Sequence, residues 1–231
     1  ERKENQKGLA AKFGFSLSLF KGNTDIIRFN TDLRLDFNFK TFSGFFLGNL
    51  TYGEKNGDSY INKGFAHIRF IREITAHLMV ELYSQLEFNH FILLKKRALG
   101  GGGIRYRLVH KKNSAGEFNL YTGIGIMYED ENFKSSSGSI QKTDSSLLKS
   151  TNYLSAHYKS KKFELRSVTY YQTDFSSDRS DRIYSDLKLS IGISKRLQYT
   201  AGLNYRYDSN PAPSVKSYDL QIRNGLSFKW D

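Results

Sequence analysis

D-I-I-R-F-N-T-D-L-R-L-D-F-N-F-K, from Asp25 to Lys40, alternates almost without a fault. Ile27, Phe29, Thr31, Leu33, Leu35, Phe37 and Phe39 share one parity, and Arg28, Asn30, Asp32, Arg34, Asp36 and Asn38 share the other. Successive side chains of a strand point to opposite sides of a sheet, so this is a ribbon with one apolar and one polar face. It is longer than the five or six residues usual for a strand, and exceeds the roughly 9–11 that a tilted strand needs to cross a bilayer.

The same period runs to the chain end. In Val215 to Asp231, Tyr218, Leu220, Ile222, Leu226, Phe228 and Trp230 share a face, with Lys216 and Asn224 as its exceptions, against Ser217, Asp219, Gln221, Arg223, Ser227 and Lys229. Twelve such segments are expected, near 8–20, 25–40, 42–53, 59–71, 74–88, 96–109, 117–130, 147–159, 163–175, 182–194, 197–208 and 215–230. Their connections alternate. Lys40-Thr41, Arg72-Glu73, Ser160 to Lys162 and Lys195-Arg196 are short, and His110 to Gly116 is longer. At the other end lie Glu54 to Asp58, Asn89 to Lys95, Glu131 to Ser146, Ser176 to Asp181 and Ser209 to Ser214. Short turns at one end and long loops at the other are the pattern of an outer-membrane barrel. The expectation is a tail at 1–7 and one antiparallel up-and-down transmembrane β-barrel at 8–231, with about twelve strands, a polar lumen and both termini in the periplasm.

Composition sets bounds on this reading. A mean hydropathy of -0.54 is compatible with a barrel, because only alternate residues meet lipid. No apolar run of about 18 residues offers a membrane helix. The opening E-R-K-E-N-Q-K is no secretory leader, which implies a mature form or a missing leader. With no cysteine, disulfides and thiolate metal sites are excluded. The net charge of +12 is spread singly along the chain, without the clusters that would suggest nucleic acid. The two prolines, Pro211 and Pro213, share one loop and interrupt no strand.

A lipocalin-like barrel has the same period with its apolar face inside. Two features argue for the inverse. Aromatics on the apolar face gather at strand ends, with Tyr52, Tyr60, Phe88 and Tyr128 toward the long loops and Tyr158, Phe228 and Trp230 toward the short turns. Such belts suit lipid headgroups. Twelve strands also enclose more than apolar side chains fill, and the polar face offers both signs of charge. The candidate lumen residues are Arg34, Arg69, Arg105, Arg107, Arg166, Arg206, Glu81 and Asp186. Buried charges persist mainly when paired, so either a salt-bridged core or a narrow wet pore is expected.

Four segments carry a family likeness: K-G-N-T-D at Lys21 to Asp25, R-A-L-G-G-G-G-I-R-Y-R-L at Arg97 to Leu108, L-Y-T-G-I-G-I-M-Y-E at Leu120 to Glu129, and S-N-P-A-P-S-V-K-S-Y-D at Ser209 to Asp219. In this order they resemble the DUF481 family, the YdiY-like salt-induced outer-membrane proteins. The resemblance implies an outer-membrane barrel and no settled chemistry.

Little else suggests catalysis. Gly22-Asn23 suits a tight turn. Gly100 to Gly103 lacks the helix and Lys-Ser/Thr step of a phosphate loop, and reads as room for facing Arg or Tyr rings. His67, His77 and His157 take lumen parity, where hydrogen bonding is a commoner role than metal ligation. No Ser-His pair stands on the lipid face, so no enzyme, metal or cofactor is expected. The Ser-rich Glu131 to Ser146 reads as an external loop, or one folding inward to constrict a pore. The function expected is a narrow, weakly anion-preferring channel. The alternative is a non-conducting barrel with a salt-bridged lumen that binds envelope proteins through loops or periplasmic turns. The other partners expected are outer-membrane lipid and lipopolysaccharide and small anionic solutes.

Overall fold

A computed structural model describes residues 8–133, 145–176, 180–194, 196–211 and 215–228. Its strands are β1 (Gly8–Phe20), β2 (Ile26–Asn38), β3 (Phe42–Lys55), β4 (Asp58–Glu73), β5 (Leu78–Asn89), β6 (Leu94–Lys112), β7 (Glu117–Phe133), β8 (Ser145–Lys159), β9 (Phe163–Asp174), β10 (Asp181–Gly192), β11 (Leu197–Asp208) and β12 (Tyr218–Phe228). Each pairs antiparallel with its sequence neighbours in one twelve-stranded sheet, in the order β1 to β12. The sheet curls until distant strands touch: Arg206 on β11 reaches Glu87 on β5 at 3.4 Å. β1 and β12 are its two edges, and among the described residues no ladder joins them.

The curl puts the polar parity inside. Among the described residues the buried large apolar side chains are Met79, Leu94 and Met127, while Arg69, Glu81, Arg97, Glu129, Glu131, Lys149 and Arg182 are also buried. Outward-facing Phe13, Ile124 and Leu226 are 73%, 67% and 68% exposed. A water-soluble barrel buries its apolar face, because that burial drives folding in water. Here the apolar face is the exterior and suits hydrocarbon, so the molecule is a transmembrane β-barrel with a polar lumen. Among the described residues no helix is long and apolar enough to cross a membrane, which says nothing against crossing by strands.

Several boundaries move from the sequence expectation. β5 starts at Leu78 rather than residue 74, because Thr75 Oγ1 accepts from the amides of His77 and Leu78 and holds Ile74 to His77 as a turn. The expected loop at Glu54 to Asp58 is instead a two-residue Asn56-Gly57 turn, both with positive φ (53° and 90°). Asn-Gly is the pair that adopts this hairpin geometry most readily. β7 extends to Phe133 and β8 begins at Ser145, so Glu131 lies in a strand. The remainder of that expected loop, 134–144, lies outside the described residues, as do the 1–7 tail and Trp230.

Candidate functional site

The candidate site is the lumen, and it is not uniform. One half is crossed by ion pairs and stacked rings. At its long-loop end, Glu129 and Glu131 on β7 are reached from both sides. Arg97 on β6 donates through Nε to Glu131 at 2.6 Å and through Nη1 to Glu87 at 3.0 Å. Arg182 on β10 donates to Glu129 at 2.7 Å, Glu131 at 2.9 Å and Asp208 at 2.9 Å. Lys149 on β8 donates to Glu129 at 2.5 Å. With Arg206 on Glu87, four cations meet four carboxylates. Desolvating so many charges is costly, and complete mutual hydrogen bonding offsets the cost.

Below this cluster lies a Tyr-Arg layer. The Arg69 guanidinium on β4 sits 5.1 Å from the ring centre of Tyr83, and 5.8 Å from those of Tyr153 and Tyr170. Arg69 also faces Glu81 at 3.5 Å, and Tyr153 Oη donates to the same carboxylate at 2.8 Å. Arg105 stacks 3.9 Å from the centre of Tyr121 and approaches Glu81 at 3.3 Å. A guanidinium over an aromatic face is attracted by the ring quadrupole, more so when desolvated.

The glycines explain how these rings fit. A Cβ on Gly101 would come within 2.7 Å of Tyr83 Oη, and one on Gly123 would overlap the Tyr153 ring. The glycine-rich β6 and its β7 neighbour are thus a floor cut away for lumen aromatics.

The other half, walled by β11, β12, β1 and β2, differs. Among the described residues, no hydrogen bond or ion pair crosses the lumen from β1, β2 or β12 to a non-adjacent strand. The inward side chains of β1 and β12 are exposed or nearly so. Glycines here face room rather than rings. A Cβ on Gly202 would meet nothing closer than 3.9 Å, and one on Gly14 nothing closer than 3.7 Å.

The residues singled out from sequence divide between the halves. Arg69, Glu81 and Arg105 lie in the Tyr-Arg layer, and Arg206 in the charge cluster. Arg107 lies near the short turns, 5.6 Å from the Tyr121 ring centre and 3.8 Å from Glu73. Arg34 pairs with Asp36 at 2.6 Å, Arg166 pairs with Glu164, and Asp186 accepts from Asn204. They form no continuous ladder. Arg97, Glu131 and Lys149, central to the cluster, were not among the residues expected. Tyr60, Tyr128 and Phe228 stand exposed on the exterior at 46%, 56% and 51%. Tyr52 packs on Phe29 and Tyr158 on Phe163, while Phe88 borders Gly64.

The histidines do not converge. His67 contacts Gln85 in the lumen and His157 contacts Glu164. His77 departs from its expected lumen position: it lies in the turn before β5 and stacks on Tyr106. No group of metal-ligating side chains occurs among the described residues.

A family model described as "Protein of unknown function, DUF481" matches residues 13–230. No curated protein matches the chain. Among solved structures, a NanC porin in a rhombohedral crystal form is 11% identical at a TM-score of 0.49, over 96% of this chain and 99% of that one. In-vitro folded OmpT of Vibrio cholerae is 11% identical at a TM-score of 0.29, over 96% of both chains. Outer-membrane expressed OmpT of Vibrio cholerae is 10% identical at 0.30, over 98% and 99%.

Proposed function

The chain belongs to the DUF481 family, and for this member we propose a narrow outer-membrane channel for small solutes, with its bore reduced to one side of the barrel. The observation that carries this is the unequal lumen. Ion pairs and stacked rings fill the half walled by β4 to β10, while the polar inner faces of β12, β1 and β2 stay uncrossed. A row of small and polar side chains held clear of the opposite wall leaves room for hydrated solute, and its charge sets preference. An even strand count puts both termini at the short-turn end, read as the periplasmic side. The exterior aromatics meet lipid and lipopolysaccharide headgroups. The reading assigns no catalytic role and no cofactor.

A second reading is favoured by the Arg97, Arg182, Glu129 and Glu131 cluster: a barrel closed by ion pairs that binds envelope proteins through its loops or turns. Reconstitution of the folded barrel in a planar bilayer separates the two. Small, steady single-channel currents are expected. A folded, inserted barrel that passes no current would reject the channel and leave the closed barrel.

A further inference from the structure

We propose that anions pass along one eccentric lane on the inner faces of β10, β11, β12, β1 and β2, guided by Lys12, Arg28, Lys188 and Arg223. Arg69 and Arg105 are then structural fillers. The inference rests on the channel reading and adds to it the route, the solute class and the residues that select.

Charge accounting is the first argument. Every cation of the packed cluster has a carboxylate partner, as shown above. In the lane, Lys12, Arg28 and Lys188 have no carboxylate within salt-bridge distance among the described residues, and Arg223 donates to the neutral Asn204 Oδ1 at 2.6 Å. Of the carboxylates facing the lane, Asp36 is paired with Arg34. Asp32, which accepts from Asn30 and Asn49 at 2.8 Å, and Asp186, which accepts from Asn204, are bonded to neutral amides and keep their charge. Asp219 stands beside Arg206 at the long-loop mouth. With Arg34 counted, five cations stand against four carboxylates along the lane, so a small excess of positive charge remains and raises the local concentration of anions.

Position is the second argument. Gly202 on β11 pairs in register with Lys188 on one side and Arg223 on the other, so two cations flank a gap that no side chain fills. Lys12 pairs with Arg34 nearer the short turns, and Arg28 pairs with Ser18 nearer the long loops. Positive charge is thus repeated at successive depths, which lets a small anion be passed on without being trapped. For the lane to be walled off from lipid, β1 must close on β12, because free strand-edge backbone groups are not tolerated in hydrocarbon. The solute class is a small anion such as chloride, a short carboxylate or inorganic phosphate. Chloride serves as the probe.

The test is the reversal potential across a KCl gradient for the reconstituted full chain. Wild type is expected to favour chloride. Lys12→Glu with Arg28→Glu is expected to reverse the sign of that potential. Gly202→Trp, which places a ring in open space, is expected to remove most of the current from a barrel that still folds by heat-modifiable gel mobility. Wild-type current that favours potassium, or keeps its chloride preference in the Lys12→Glu, Arg28→Glu variant, would overturn the lane and leave a channel of another route. Undiminished current in Gly202→Trp would do the same. Absence of any wild-type current would overturn the channel reading itself and the lane with it.

Discussion

The two halves of the lumen use the same residue types for opposite ends. On the β4 to β10 side, arginines lie against carboxylates and tyrosine rings, and the glycines between them are crowded. On the β11 to β2 side, Lys12, Arg28 and Arg223 stand apart from carboxylates among the described residues, and Gly14 and Gly202 face open space. What distinguishes structural charge from functional charge is the company it keeps. A buried arginine with three carboxylates is mortar, whereas an exposed one with none can select what passes.

The largest expected effect lies in the cluster. Glu131→Ala leaves Arg97 and Arg182 facing an unfilled partner position in a water-poor site. Removing one partner of such a network costs about 3–5 kcal/mol. Urea unfolding of the barrel in lipid vesicles should register that loss. A loss near zero would mean that water fills this end and that the halves are alike.

Next comes the glycine floor. Gly123→Ala forces the Tyr153 ring aside, and overpacking of this kind costs about 1–3 kcal/mol. The same change at Gly202 meets open space and should be almost silent in the same unfolding assay. Equal costs at the two glycines would erase the contrast.

A smaller effect is expected for Tyr153→Phe, which removes the hydrogen bond to Glu81 while keeping the ring under Arg69. A loss of about 1 kcal/mol is expected from a single hydrogen bond. The smallest is Lys12→Ala in the lane, within about 0.5 kcal/mol by urea unfolding, as for other solvent-exposed positions.

The wall of the barrel was legible in the sequence because a period of two survives anything that happens inside. β2 shows it residue by residue and β12 with the single exception of Asn224, whereas the register itself shifts at bulges near Gly53, Glu87, Leu94 and Arg107 that the period does not reveal. The lumen was legible only in kind. Parity put charges of both signs inside together, but which of them meet depends on the curl of the sheet, which brings β5 to β11 and β7 to β10. Glu131 falls in the expected Ser-rich loop, and Arg97 and Lys149 sit in the first residues of their expected strands, where alternation is too short to mark a partner across the lumen. The Asn56-Gly57 turn carried its own signal, a two-residue hairpin pair, and was masked by the expectation of a longer loop. The inward tyrosines 83, 153 and 170 stand on the polar parity, where a tally of exterior aromatics does not look.

Cysteine accessibility tests the unequal lumen most directly, since the chain has no cysteine of its own. Ser16 on β1 and Thr151 on β8 both point inward, the first exposed and the second 6% exposed. In the folded barrel, reconstituted in vesicles, Ser16→Cys should react readily with a charged, membrane-impermeant thiol reagent, and Thr151→Cys should stay unmodified until the protein is unfolded. Comparable labelling of both positions, or labelling of Thr151→Cys alone, would contradict the account.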